Sequence, residues 1–291
     1  MSTPSGFEIR DLGSLDDCRG VVAVQEAVWG VDGETVPASV LLVSAKHGGI
    51  LLGAFADGAS SQPAGQLIGF VWSLAGVSDG APSQWSHMLG VLPASRRGRV
   101  AEALKLAQRE RALAAGVDLI EWTFDPLQAA NAHFNLHVLG ALGASYGVNV
   151  YGALSGPLHR GTPTDRLIAA WRIREPHVQR RVDARNIGGS SPRLTARSAE
   201  VLDAPCMLRT IVDGPWLRCA GIETAKADRR VVVPVPPRFS QMQQDATEIA
   251  NEWRLAVRDV MTSAFERGYR AVDFYLDREE GGGSYLLAKS E

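Results

Sequence analysis

A turn that carries three arginines is the first feature of the 291-residue chain that could bind a ligand. The apolar stretch His87–Leu92 predicts a buried strand, residues 93–98 predict a turn, and a helix is expected from Arg99. The first N–H groups of a helix lack intrahelical partners and lie at the positive end of its dipole, so they can accept a phosphate. Arg96 and Arg97 add charge and donors. The alternative is an ordinary strand–helix connection with solvated arginines.

The helix that follows this turn is expected to be amphipathic, with one apolar and one charged side. The residues on its apolar side are Val100, Ala103, Leu104 and Ala107. The residues on its charged side are Glu102, Lys105 and Arg109.

The turn resembles motif A of the GNAT acyltransferases, whose pattern is Gln/Arg-x-x-Gly-x-Gly/Ala after a strand. Arg96 takes the first position of this pattern, Arg99 the fourth and Ala101 the last. The positions between them are filled by Arg97, Gly98 and Val100. In the family this loop holds the pyrophosphate of coenzyme A, so the resemblance implies that role here. Arg99 replaces a glycine, and it would either crowd the pyrophosphate or bind it.

The resemblance also implies cofactor contacts on two other elements. The strand residues Leu89, Gly90 and Val91 correspond to the family's donor strand, whose backbone pairs with the pantetheine arm. Gly90 would suit a β-bulge that frees an N–H. Asn131 belongs to a later short helix that borders coenzyme A in the family, although turn formation and local capping also explain an asparagine there.

Three residues are candidates for acid–base catalysis of acyl transfer to an amine. His87 is the first candidate for the base, because an unperturbed imidazole titrates at about pH 6.5. It lies two residues before Leu89, so a regular strand places both side chains on one face. Glu121, on the next strand, is the second candidate. Leu136 stands where the family often has a tyrosine that acts as the general acid, and Tyr146 is a weak substitute for it. The alternatives are that His87 is a hydrogen-bonded core residue and that Glu121 is a solvated strand residue.

The predicted order of elements resembles the GNAT core: a strand, two helices, three antiparallel strands, a helix and a strand. We therefore expect an α+β fold with a GNAT-like mixed, mostly antiparallel sheet flanked by helices. The sequences of residues 122–127, 131–135 and 160–167 resemble those of a GNAT subgroup with a C-terminal extension. Residues 183–198 predict a linker, so we place a GNAT-like acyltransferase domain at 1–180 and an α+β extension at 181–291.

The second half of the chain has its own strand, helix and strand order. Apolar residues spaced by three or four predict an amphipathic helix from Ala246 to Ala264, and Ser240 suggests a capping box before it. This order predicts either a degenerate half-repeat of the GNAT core or an unrelated extension. It has no basic glycine loop, so no second coenzyme A site is expected.

Composition excludes several classes of function. Lys and Arg total 30 against 32 Asp and Glu, and a net charge of −2 favours neither nucleic acid nor an anionic membrane. Three widely spaced cysteines predict neither a zinc site nor a disulfide framework, and they fit a reducing, cytoplasmic location. No signal peptide or transmembrane run is expected.

The resemblance implies an acyl-CoA-dependent N-acyltransferase, and no metal is expected. The expected donor is acetyl-CoA, and the expected acceptor is a small-molecule amine that attacks directly through a tetrahedral intermediate. One alternative is a GNAT-fold binding or regulatory protein that has lost catalysis. Another is a succinyl-CoA-dependent amino-acid N-succinyltransferase. A homodimer is an assembly that the sequence allows.

Overall fold

The computed structural model describes residues 6–30, 35–58, 63–152, 162–186, 204–223, 228–277, 279 and 281–289. The chain forms two compact units. Unit 1 consists of Met1–Trp122 with Arg172–Glu175, and unit 2 consists of Thr123–Trp171 with Pro176–Glu291. The predicted boundary near residue 180 stays a prediction, and most of the predicted linker at 183–198 lies outside the described residues.

Unit 1 has the order of elements that the resemblance implies. In sequence these are β1 (Phe7–Asp11), α1 (Leu15–Trp29), α2 (Ala38–Lys46), β2 (Ile50–Ala56), β3 (Leu67–Ser78), β4 (Ala81–Val91), a 3₁₀ helix (Pro93–Gly98), α3 (Val100–Ala114) and β5 (Leu119–Phe124), which ends just past the unit boundary. Strands β1 to β4 pair antiparallel in sequence order, and β5 pairs parallel with β4. The predicted α+β fold with a mixed, mostly antiparallel sheet flanked by helices is therefore confirmed.

Helices α1 and α2 cover one face of this sheet. The Ser14 hydroxyl accepts from the Asp17 N–H, and the Asp17 carboxylate accepts from the Ser14 N–H, which together form a capping box at the start of α1. The core beneath these helices includes Leu41, Phe70 and Trp72. Helix α3 packs on the opposite face of the sheet. The side chains of the strand residues that alternate with Phe70 and Trp72 point to that face.

The side of α3 that carries charged residues is buried, as are Val100 and Leu104 on its apolar side. Glu102, Lys105 and Arg109 are all buried. Each has a partner, because Arg99 pairs with Glu102, Ser86 accepts from Lys105, and the Ile173 carbonyl accepts two bonds from Arg109. Buried charges are tolerated only with such partners, and the sequence did not reveal them.

Unit 2 is built from a five-stranded sheet, a separate hairpin and several helices. In sequence the elements are α4 (Ala129–Ala132), a π-helix (His133–Val138), β6 (Leu142–Gly147), β7 (Arg166–Arg172), α5 (Pro176–Asn186), β8 (Leu208–Asp213), β9 (Trp216–Ile222), β10 (Arg230–Val235), α6 (Phe239–Asp245), α7 (Thr247–Glu266), β11 (Tyr269–Leu276) and β12 (Gly283–Lys289). The sheet order is β7-β6-β11-β12-β10, and β8 pairs with β9.

The predicted amphipathic helix is α7, and it packs on β6, β9 and β11. It begins at Thr247, and Ser240 lies inside the separate helix α6, so the predicted capping box is wrong. The half-repeat stays a prediction. Strand β12 lies between β10 and β11, whereas β4 and β5 pair directly. Among the described helices, none is long and apolar enough to cross a lipid bilayer.

Candidate functional site

Strands β4 and β5 pair over only part of their length. Three residue pairs join them, and the last of these is Trp85 with Glu121. Strand β4 then runs on to Val91, with its other edge still paired to β3. The edge of β4 from Ser86 to Val91 therefore has backbone N–H and C=O groups with no partner in the described β4–β5 ladder. Such an edge can pair with an extended, amide-containing ligand.

The β-bulge of this region lies at His87, so its predicted position at Gly90 is wrong. Trp72 of β3 pairs with Met88 and the next residue, Ser73, pairs with Ser86, which leaves His87 as the extra residue. Gly90 is regularly paired with Phe70.

The glycine at position 90 has a packing role. A Cβ atom there would lie 2.8 Å from a ring carbon of Phe70 and 3.1 Å from the Trp29 ring. A side chain at this position would displace the core beneath α1.

The bulge changes the direction in which His87 points. Its imidazole contacts the edge of the Trp72 ring, with 5.2 Å between centroids, and Met88 packs against the same core cluster. Neighbouring residues 87 and 88 thus lie on the α1/α2 side, and the expectation that His87 and Leu89 share a face is wrong. The side chain is exposed, and partial desolvation lowers its pKa below the usual value. At neutral pH the imidazole is uncharged and can accept a proton.

Glu121 lies beside the last paired residue of β4. Its backbone pairs with Trp85, and its side chain is half-buried. Among the described residues its carboxylate takes part in no hydrogen bond or ion pair. His87 and Glu121 therefore both flank the point at which β4 and β5 separate, and their acid–base roles stay predictions.

Arg99 adopts the backbone conformation that a glycine would adopt. Its φ and ψ are 59° and 18°, in the left-handed region. Its guanidinium donates to Glu102 through Nε at 3.1 Å and Nη2 at 2.8 Å. This pair raises the pKa of Arg99. The loop thus keeps the glycine geometry of the resemblance, and the arginine neutralises a buried carboxylate in the first turn of α3.

The rest of the basic turn places donors at the end of β4. Arg96 is exposed, and its Nε donates to the Val91 carbonyl at 3.3 Å. Gly98 and Arg97 belong to the 3₁₀ helix. Val100 and Ala101 are in the first turn of α3, where backbone N–H groups lack intrahelical acceptors, and none of the described side chains caps this end. The turn can therefore bind an anion.

Sequence reasoning missed Lys105, which is buried behind this strand edge. Its Nζ lies 3.1 Å from the Ser86 hydroxyl, 2.8 Å from the Gln108 amide oxygen and 3.8 Å from the centroid of the Trp122 ring. Burial lowers its pKa to about 7. The one signal for it is a lysine next in sequence to a buried Leu104.

Tyr146 and Asn131 belong to unit 2. The Tyr146 hydroxyl donates to the Asp165 carboxylate at 2.9 Å. Burial, together with that carboxylate, raises the tyrosine pKa. This bond occupies the phenolic proton and makes Tyr146 a poor general acid. Asn131 is exposed on α4, and Leu136 lies in the π-helix. In the described part of the chain, no group of three or more His, Cys, Asp or Glu residues could hold a metal ion.

No family model and no curated protein matches this sequence. Solved structures with a similar fold include the NatC complex bound to Gag peptide and CoA, at 13% identity, TM-score 0.45, and coverage of 57% of this chain and 98% of that one. The ribosomal-protein-S18-alanine N-acetyltransferase from Escherichia coli is similar at 14% identity, TM-score 0.44, and coverage of 57% and 94%.

A third similar structure is an aminoglycoside acetyltransferase from an uncultured soil metagenomic sample in complex with sisomicin. It shows 14% identity and a TM-score of 0.37, over 43% of this chain and 82% of that one. Such low values carry no assignment of activity, so the function must be argued from this chain's own residues.

Proposed function

We propose that the protein is an acyl-CoA-dependent N-acyltransferase, with acetyl-CoA as the donor. The observation that carries this proposal is the separation of β4 from β5 after Trp85 and Glu121, directly before a basic turn and a free helix N-terminus. The β4 edge from Ser86 to Val91, which continues beyond the described β4–β5 ladder, suits the amide groups of a pantetheine arm. The turn from Arg96 to Ala101 suits its pyrophosphate.

The site residues supply the steps that acyl transfer needs. His87, neutral at pH 7, takes the proton of the attacking ammonium directly or through a water. The amine nitrogen then bonds to the thioester carbon, and a backbone N–H at the bulge stabilises the resulting oxyanion. The C–S bond breaks, and the leaving thiolate takes the second proton, which the nitrogen loses as the amide forms. Glu121 is the alternative base.

The acceptor is proposed to be a small-molecule amine, and a cytoplasmic location and a homodimer stay predictions. A transfer of succinyl groups to amino acids is the narrower alternative. A binding protein without turnover is favoured by one observation, which is that the Tyr146 phenol is committed to Asp165. If that alternative held, the protein would bind coenzyme A but release no thiol with any amine.

Thermal shift measurements with acetyl-CoA, succinyl-CoA and free coenzyme A test the cofactor. Bound ligand should raise the melting temperature in a concentration-dependent way. A thiol-release assay with a panel of amines, amino acids and peptides then tests turnover. Absence of both binding and thiol release would contradict the proposal. Binding without release would favour the non-catalytic alternative.

A further inference from the structure

Unit 2 holds a cluster of charged side chains that the proposed transfer does not use: Asp125, Asp165, Arg166, Arg254 and Arg258. We propose that this guanidinium cluster binds a carboxylate-bearing molecule through Arg166. Two observations support this: both carboxylates are already paired with other arginines, and the Nε of Arg166 has no hydrogen-bond partner among the described residues.

Both carboxylates of the cluster are already paired. The Asp125 carboxylate accepts from Nη1 and Nη2 of Arg254 at 2.6 and 2.8 Å. The Asp165 carboxylate accepts from Nε and Nη2 of Arg258 at 2.9 and 2.8 Å, and also from the Tyr146 hydroxyl. These are bidentate pairs, and the side chains of Asp165 and Arg254 are at most 2% exposed. Neither acid has a free edge for a third guanidinium.

Arg166 forms no hydrogen bond or ion pair with the described residues. Its Nε is buried without a partner, and its guanidinium carbon lies 5.2 Å from the centroid of the Tyr151 ring. The Tyr151 hydroxyl is fixed 3.0 Å from the Thr123 hydroxyl, so the ring is held beneath the guanidinium. Half-burying a cation that has an unpaired N–H costs free energy unless an anion pairs with it.

The charges of the cluster do not balance. Three guanidinium groups, on Arg166, Arg254 and Arg258, face two carboxylates, which leaves one positive charge in excess. Burial lowers the pKa of Arg166, against the opposing effect of Asp125, and nearby Arg254 contributes in the same direction as burial. An anion beside Arg166 would offset both the desolvation and the repulsion.

The chemistry of the free group favours a carboxylate. Nε–H and one Nη–H of a guanidinium form a side-on fork that matches the two oxygens of a carboxylate. A monoanion balances the single excess charge, whereas a phosphate dianion would add repulsion from the two paired acids. Two sources share this chemistry, namely an amino-acid acceptor and an acyl chain that ends in a carboxylate; this choice of source rests on the proposed function.

Binding is tested first without any activity. In protein labelled with ¹⁵N-arginine, the Arg166 Nε–H resonance, assigned by its loss in Arg166→Lys, is followed during titration with succinate, N-acetylglycine, N-acetylglycinamide and inorganic phosphate. We expect a saturable shift with the two carboxylates, none with the neutral amide, and weaker binding of phosphate. Calorimetry should show roughly tenfold or greater loss of carboxylate affinity in Arg166→Gln and a smaller loss in Arg166→Lys. Arg180→Gln, an exposed arginine on α5, is the matched control and should bind like wild type.

No saturable shift with either carboxylate, or equal affinity in Arg166→Gln, would overturn the proposal even if acyl transfer is found. Phosphate bound more tightly than carboxylate would overturn the assigned ligand class. Kinetics separate the sources. Arg166→Gln should raise KM for an amino acid but not for its amide if the acceptor supplies the carboxylate. It should remove a preference for succinyl-CoA over acetyl-CoA if the acyl chain supplies it. Absence of acyl transfer would contradict the proposed function and leave the resonance test standing.

Discussion

Arg99 has two properties that act in opposite directions on a bound pyrophosphate. Its left-handed backbone costs about 1 kcal/mol relative to glycine, while its guanidinium neutralises the buried carboxylate of Glu102 at the start of α3. Arg99→Gly should therefore relieve strain but weaken coenzyme A binding, because the Glu102 charge that Arg99 neutralised would then repel phosphate. We expect roughly a tenfold loss of affinity by titration calorimetry.

The double variant Arg99→Gly/Glu102→Gln separates this role from direct phosphate binding. It removes the carboxylate together with its partner, so coenzyme A affinity should return close to that of wild type. If the double variant binds as weakly as Arg99→Gly, Arg99 is itself the phosphate ligand. Unchanged binding by Arg99→Gly alone would remove it from the site.

His87 is the residue on which the proposed proton transfer depends. His87→Ala should lower turnover by about 10²–10⁴-fold at neutral pH, the usual contribution of a positioned base. The lowered pKa of the imidazole predicts that the wild-type rate falls on the acidic side only below about pH 6.5, and the deficit of the variant should shrink as pH rises. The measurement is the pH–rate profile with an active amine.

Coenzyme A affinity is the control for this variant, because the imidazole does not contact the phosphate loop in the proposed arrangement. His87→Gln keeps the approximate size of the side chain and should lose activity to a similar extent. A His87→Ala enzyme with the wild-type rate and the same acidic limb would assign the base to Glu121 or to a water chain.

At the scale of elements, α3 carries an ionisable group whose burial links stability to pH. Lys105 titrates near pH 10.5 in an unfolded chain and at about 7 in the folded one. Between these values the unfolded chain binds a proton that the folded chain does not, so the free energy of unfolding rises with pH. The cost of burial is fully present below pH 7. We expect a slope of about 1 kcal/mol per pH unit in urea denaturation between pH 7.5 and 9.5.

Lys105→Met should abolish this slope and raise stability at pH 7, since no proton is then displaced by folding. Lys46→Met, at the exposed end of α2, changes the same residue type without burial and should leave the slope intact. Equal slopes in wild type and Lys105→Met would show that the lysine keeps its proton in the folded protein.

Local chemistry explains which elements could be predicted. The capping box of Ser14 and Asp17, Pro37 before α2, and the basic turn from Arg96 are short-range signals, and the elements they mark are present. Burial of Lys105 could not be predicted, because it depends on Ser86 from a distant strand. The bulge at His87 depends likewise on how β3 and β4 pair.

The guanidinium cluster in unit 2 could not be predicted from the sequence for a similar reason. Arg254 lies within the apolar stripe of α7 and is nearly fully buried, since Asp125 from 129 residues earlier pairs with it. Sequence periodicity described the stripe correctly but gave no sign of the arginine's partner. The excess positive charge at Arg166 follows only from the pairing of Asp125 with Arg254 and of Asp165 with Arg258, which the sequence does not reveal.

At the scale of the whole molecule, unit 2 depends on its C-terminal elements. Strand β6 pairs with β11 through Gly143 and Ala271, and the Trp253 indole N–H donates to the Leu217 carbonyl of β9. Deleting residues 231–291 would expose the apolar surfaces of β6 and β9 on which β11 and α7 pack. We therefore expect aggregation rather than a soluble GNAT-like core. A monomeric, folded fragment by light scattering and circular dichroism would contradict this prediction.

In the proposed complex, coenzyme A binds across the β4 edge with its pyrophosphate at the start of α3. Ala101→Glu places a carboxylate in the first turn of this helix, where the dipole stabilises it and where phosphate would otherwise bind. Ala114→Glu, exposed at the other end of α3, is the matched control.

Calorimetric titration of coenzyme A into wild type and these two variants tests this placement of the pyrophosphate. We predict that wild type and Ala114→Glu bind with affinities within a factor of about two, and that Ala101→Glu loses about tenfold or more while remaining folded. No binding to wild type, or equal binding to Ala101→Glu, would contradict the account.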